Sequence, residues 1–196
     1  MVQGSEENGG APLLEPEERA EALALVRSSV EILVREGRRQ DPPPGTSLSL
    51  RRSAAFVTLS LNGRLRGCIG VLESFGALDD TLVHCALAAA AEDRRFPPVS
   101  LSELPELRYE ISLLSPLRRT RNPGEVEVGR HGVLLQARGR QGLLLPQVPL
   151  EYGWDRETYL DHACRKAGLP QGAWKWPDTR LWLFAAEVFG DAPSTK

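Results

Sequence analysis

Apolar residues at Leu23, Val26, Val30 and Leu33 recur at the three-and-four spacing of a helix and predict one core-packing helix. Pro16 suits its first turn, Glu17 and Glu18 face the positive end of its dipole, and Arg35 and Gly37 mark its end. The proline run in Asp41 to Gly45 cannot extend it. A second stripe, Leu78, Leu82, Cys85 and Ala89, predicts a helix over 77–91 whose alanines let it lie close on a sheet, with His84 off the stripe and Cys85 in the core.

Between these helices the pattern changes to alternation, and Ala54 to Val71 reads as a hairpin around Asn62-Gly63. A two-residue turn pairs Leu59 with Arg66 and Val57 with Cys68, mixing apolar and polar groups on both faces. A three-residue loop, Leu61 to Gly63 with Gly63 left-handed in a bulge, pairs Leu59 with Leu65, Val57 with Gly67 and Ala55 with Ile69. That register separates the faces and is the one expected. It puts Phe56, Thr58 and Ser60 on one face with Arg64, Arg66 and Cys68. Gly67 and Gly70 are poor strand residues, so each marks a bulge or the close approach of another backbone or a ligand; a tightly packed helix is the plain alternative.

Further along, Pro97 and Pro98 hold the chain extended, with an Asp93–Arg95 ion pair bracing the turn before them. Ser100 and Glu103 have capping-box spacing for one short helix, stopped by Pro105. Leu107, Tyr109, Ile111 and Leu113 alternate with Arg108, Glu110 and Ser112 as a half-buried strand. A second hairpin is predicted from 125–128 and 133–137 through a turn at 129–132, with His131 at its tip and a further strand at 142–145. Asp155 caps a helix that carries Tyr159, Leu160, Ala163 and Cys164 and stops at Gly168 and Pro170. Thr179 to Phe189 reads as one central strand, bent or bulged. Strand runs with isolated helices and no regular alternation point to an α+β fold, mainly antiparallel.

The chain of 196 residues supports one domain, expected over 12–190 between tails at 1–11 and 191–196. No apolar run approaches the roughly 20 residues of a membrane span, and the N-terminus lacks a signal core, so a cytoplasmic location is expected. Net charge is −2 and the arginine pairs are scattered, which argues against a nucleic-acid footprint. The cysteines, Cys68, Cys85 and Cys164, have no metal-type spacing, so no metal is expected and no cofactor is indicated.

The densest candidate chemistry is the run Leu65-Arg66-Gly67-Cys68-Ile69-Gly70. In a strand Arg66 and Cys68 share a face, and a cation beside a thiol favours the thiolate, the reactive form. Against a catalytic role for the thiol, no histidine is adjacent to act as base. The same residues also suit recognition, with Arg66 and Arg95 holding a carboxylate or phosphate bidentately and the glycines admitting backbone N–H groups.

The blocks AFVTLSLNGRLRGCIG at 55 to 70, EDRRFPPVSLSEL at 92 to 104, YEISLLSP at 109 to 116, GRHGVLLQ at 129 to 136, GLLLPQVPLEYGWD at 142 to 155 and CRKAGLP at 164 to 170 resemble, in that order, the AMMECR domain family. The later blocks look like its prokaryotic branch, similar to protein A of the AmmeMemoRadiSam set, which travels with a Memo-like protein and a radical SAM protein. The resemblance implies an α+β fold in which a larger antiparallel sheet with helices and a smaller lobe frame a cleft. It implies two subdomains and no settled activity. Carried over by motif, the tentative catalytic candidates are Cys68 and Arg66, and the ligand-binding candidates are Gly67, Gly70, Asp93, Arg95, Phe96, Pro97, Pro146 and Gln147. The expected roles are a modification reaction with those two partners or, alternatively, a non-catalytic module for an anionic small molecule or a partner segment.

Overall fold

The computed structural model describes residues 13–74 and 76–191, which form two compact units: one from the residues up to Leu114 plus the stretch that begins at Glu187, the other Ser115–Ala186. The expected tails lie outside the described residues except for Asp191. That residue is held in place, its carboxylate accepting from Arg27 Nη2 at 2.7 Å and from the Tyr109 N–H at 2.9 Å.

In the first unit, α1 (Pro16–Glu36) starts at the proline and ends where Gly37 takes a left-handed φ of 67° and donates its N–H to the Leu33 carbonyl. Four strands follow the order β2-β1-β3-β8, with β1 at Ala54–Leu61, β2 at Arg64–Gly70, β3 at Leu107–Leu114 and β8 at Ala186–Gly190. Ala55, Val57 and Leu59 on β1, with Leu107, Tyr109, Ile111 and Leu113 on β3, are buried against α1 and α2 (Leu78–Ala91). The alternate residues Phe56, Thr58, Ser60, Arg108 and Glu110 face away from this core, so one face of the sheet is apolar and the other polar.

The hairpin keeps the expected face for Cys68 but neither the expected register nor the expected faces of Arg64 and Arg66. Asn62 and Gly63 alone make the turn, both with positive φ (52° and 71°), between the paired residues Leu61 and Arg64. Ser60 then pairs with Leu65 but Leu59 with Gly67, so Arg66 is the extra residue of a bulge. The register is thus displaced by two residues from the predicted one, Val57 lying opposite Ile69. Beyond the bulge the even displacement preserves parity and keeps Cys68 with Thr58 on the polar face; before it the expected faces are exchanged, Leu65 lying opposite Ser60 and Arg64 opposite Leu61.

The short helix expected at 100–105 does not form. Ser100 and Glu103 make the local bonds of a cap, and the chain then takes a 3₁₀ turn over Leu104–Glu106 with Pro105 inside its first positions.

The second unit has the strand order β4-β7-β5-β6. These are β4 at Arg118–Thr120, β5 at Gly132–Ala137, β6 at Arg140–Leu144 and β7 at Arg180–Phe184, with α3 at Val148–Glu151 and α4 at Arg156–Lys166. The expected strand at 125–128 is absent, because Asn122 starts a 3₁₀ turn over Pro123–Glu125 through its side chain. The partner of β5 is β6, joined by Arg138-Gly139 with φ of 51° and 73°. The predicted single strand at 179–189 is two: β7 is central in this sheet, while β8 belongs to the other. At the break, the Ser115 N–H donates to the Ala185 carbonyl and the Ala185 N–H to the Ser115 hydroxyl, both at 2.9 Å.

Candidate functional site

Cys68 lies on β2, the edge of the first unit's sheet, in register with Thr58 of β1 and on the polar face. Its Sγ accepts a hydrogen bond from the Thr58 hydroxyl at 3.3 Å. The residue is partly exposed, whereas Cys85 and Cys164 are buried. Burial pushes the Cys85 thiol up to about 12 and raises that of Cys164, so both are inert core groups.

The backbone of Cys68 turns outward from the sheet and is capped there by side chains. Its N–H donates to Asp93 Oδ2 at 2.9 Å, and its carbonyl accepts from Arg95 Nη2 at 3.2 Å. Asp93 and Arg95 are themselves paired, Nη2 to Oδ2 at 2.7 Å and Nε to Oδ1 at 2.9 Å. Together they offer the acceptor and donor that a neighbouring strand would offer, and so close the edge at this residue. The Arg95 guanidinium, helped by the N–H groups of Cys68 and Arg95, holds the Asp93 carboxyl well below the usual carboxylate range.

The segment carrying this pair is tied to α2. Phe96 N–H donates to the Asp93 carbonyl at 3.0 Å and Val99 N–H to the Ala90 carbonyl at 2.8 Å. The Arg95 guanidinium lies 5.5 Å from the Phe96 ring centre, and its side chain remains 55% exposed. Pro97 is exposed; the neighbouring Pro98 contributes its carbonyl to Arg66.

Arg66 does not use its charge as expected. As the bulge residue it turns inward, 9% exposed, and forms a bidentate pair with Glu103, Nε to Oε1 at 2.6 Å and Nη2 to Oε2 at 3.1 Å. Nη2 also donates to the Pro98 carbonyl at 3.2 Å, and Nη1 is buried without a partner among the described residues. Arg66 draws the Glu103 carboxyl down to about 2, with the Ser100 N–H and hydroxyl adding to the effect. The cation bonded to Cys68 is therefore Arg95, through the backbone. Glu103 shows in the sequence only as a local cap; its second role depends on the bulge, which no residue of the hairpin announces.

The two motif glycines face other parts of their own unit. A Cβ on Gly67 would overlap the Ala89 carbonyl oxygen of α2, and one on Gly70 would overlap the Phe56 ring opposite it. The close approach at Gly67 is thus made by the helix. Pro146 and Gln147 belong to the second unit, just beyond β6; Pro146 is buried and Gln147 half-buried. Thr58 was not among the expected site residues, although its place opposite the thiol follows once the register is known.

Among the described residues, no group of His, Cys, Asp and Glu is arranged to hold a metal ion, and no helix is long and apolar enough to cross a membrane.

The AMMECR1 family model matches residues 23–189. A protein of Methanopyrus kandleri is 40% identical over 176 residues, covering 85% of this chain and 85% of that protein. One of Thermococcus kodakarensis is 42% identical over 178 residues, covering 85% and 87%. The crystal structure of an uncharacterized protein from Pyrococcus horikoshii superposes with a TM-score of 0.87 at 34% identity, covering 92% of this chain and 94% of that one.

Proposed function

The chain belongs to the AMMECR1 family, and from that premise we propose that it works through a thiol-centred site on the polar face of the first unit's sheet, with Cys68 as the reacting group. One observation carries this reading. Cys68 is the partly exposed cysteine, with a hydroxyl donor at its sulfur and both backbone polar groups clamped by Asp93 and Arg95. A reactive thiol needs access, a fixed position and a neighbour that favours its ionised form. In this reading the Arg66–Glu103 and Asp93–Arg95 pairs hold the strand and the 93–103 segment in place. The site serves a modification reaction shared with a Memo-like protein and a radical SAM protein, a part that rests on the resemblance to protein A of that set.

Alkylation at pH 7, resolved by peptide mass spectrometry, tests the thiol. Cys68 should label faster than a free cysteine derivative under the same conditions. A rate no higher than that of the free thiol removes the basis for a reacting group.

A second reading is favoured by Arg95, whose half-exposed guanidinium beside Phe96 is suited to an anionic ligand or partner segment. It predicts that Cys68→Ser retains association with the partner proteins while Arg95→Ala loses it. The reverse pattern supports the thiol.

A further inference from the structure

We propose that Thr58 is the positioning residue for Cys68: its hydroxyl, fixed in register beside the sulfur on the polar sheet face, donates to the thiolate and keeps it available. This deepens the thiol reading and rests on it.

The geometry begins with the strand pairing. Thr58 and Cys68 are directly opposite, and the Cys68 N–H points away from β1 to Asp93, so the two residues form a non-hydrogen-bonded pair of the antiparallel ladder. In such pairs the side chains approach most closely. The Thr58 Oγ1 to Cys68 Sγ distance of 3.3 Å is the outcome.

The hydroxyl matters as much as the distance. Threonine is branched at Cβ and stiff at χ1, which holds its hydroxyl beside the sulfur; serine keeps that donor and valine does not. Thr58 sits on β1, a central strand paired on both sides, whereas Cys68 sits on the edge. The donor is therefore anchored on the strand that is paired on both sides, and the Asp93–Arg95 clamp holds the backbone of Cys68 on the edge strand.

The register runs Cys68, Thr58, Glu110 across three strands, and these in-register residues share the polar face. Among the described residues bonded to the sulfur, Thr58 is the donor.

The test compares alkylation of Cys68 in the full chain as wild type, Thr58→Val and Thr58→Ser, resolved by peptide mass. Valine keeps the shape and removes the hydroxyl; serine keeps the hydroxyl. At pH 7 we expect T58V to label about three- to tenfold more slowly than wild type and T58S to stay within about twofold. At pH 10, where thiols are largely ionised, T58V should label as fast as wild type. Equal rates for T58V and wild type at pH 7 overturn the assignment, as does a T58V defect that persists at pH 10 or one that T58S shares. These outcomes are distinct from failure of the thiol reading, which shows in the wild type alone against the free cysteine derivative.

Discussion

The two units solve the same packing problem with the same parts and differ where β2 carries Cys68. Each has a hairpin closed by a tight turn with successive positive φ values, Asn62-Gly63 in one and Arg138-Gly139 in the other. Each places a glycine in the second strand of that hairpin where a Cβ would overlap a helix carbonyl, Gly67 with Ala89 of α2 and Gly142 with Ala163 of α4. Each also lays a phenylalanine ring over a strand glycine, Phe56 over Gly70 and Phe184 over Gly132. These shared devices have one physical purpose, to bring a helix or a ring down onto a sheet, and they need no ligand to explain them. What β6 lacks is the Arg66 bulge and the side-chain cap on the Cys68 backbone. What sets β2 apart is therefore Cys68, its clamp and its hydroxyl neighbour, while at Gly67 and Gly70 a Cβ would meet the Ala89 carbonyl and the Phe56 ring.

The largest effect should come from filling the shared glycine contacts. Gly67→Ala and Gly142→Ala each force a helix away from its sheet and should destabilise by about 3 kcal/mol or more, read as a lowered denaturation midpoint. The parallel between the units is lost if one of them tolerates the methyl group without a change in midpoint.

Breaking the pair that only the first unit has should rank next. Arg66→Ala leaves Glu103 largely buried without its cation, and since the Glu103 side chain keeps 20% exposure we expect a loss of about 2 kcal/mol. The same pair sets an acid limb. The folded-state value for Glu103, about 2, lies below its ordinary value near 4.3, so its contribution is complete above that ordinary value and disappears as pH falls toward 2. Asp93 acts in the same direction at still lower pH. Stability should fall across this window in the wild type and fall less in Glu103→Gln; equal pH slopes would show that the ion pair does not govern the acid limb.

The buried tyrosines sharpen the contrast at the smallest scale. Tyr159 of the second unit has its hydroxyl within donating distance of three carbonyls, those of His131, Leu144 and Leu145, at 2.9 to 3.2 Å. Tyr109 of the first is equally buried, but its hydroxyl has no partner among the described residues and burial raises it to about 12. Tyr159→Phe should cost about 1 kcal/mol and Tyr109→Phe should change stability by less than about 0.5 kcal/mol, measured by chemical denaturation. An equal cost at the two sites would mean that the hydroxyl bonds at Tyr159 contribute nothing.

Where local pattern and tertiary structure ask for the same thing, the fold is readable from the residues. The stripe from Leu23 to Leu33, with Pro16 before it and Gly37 after, defines α1 closely because period, cap and stop coincide. The hairpin is half legible: alternation puts Cys68 on the face of Thr58, whereas the bulge at Arg66, whose side chain bonds Glu103 and Pro98 far off in sequence, exchanges the faces expected for Arg64 and Leu65. Val126 is fully buried and invites a strand assignment, but burial there comes from the core beneath a 3₁₀ turn. The long apolar stretch after Thr179 carries enough β-propensity for a strand and no local sign that it serves two sheets. In the site, the Asp93–Arg95 pair is visible because its members are two residues apart; Glu103 and Thr58 gain their roles only through register.

The reciprocal bonds between Ser115 and Ala185 make everything between them a cassette. Its two ends meet, so the intervening chain can lengthen, shorten or be exchanged without unthreading the sheet that holds Cys68. Removed and replaced by a short turn, it would leave β3 and β8 as a simple hairpin, and the thiol's own strands would keep their neighbours. The strand that carries Cys68 and the stretch between Ser115 and Ala185 are therefore joined at one point of the chain path rather than interleaved.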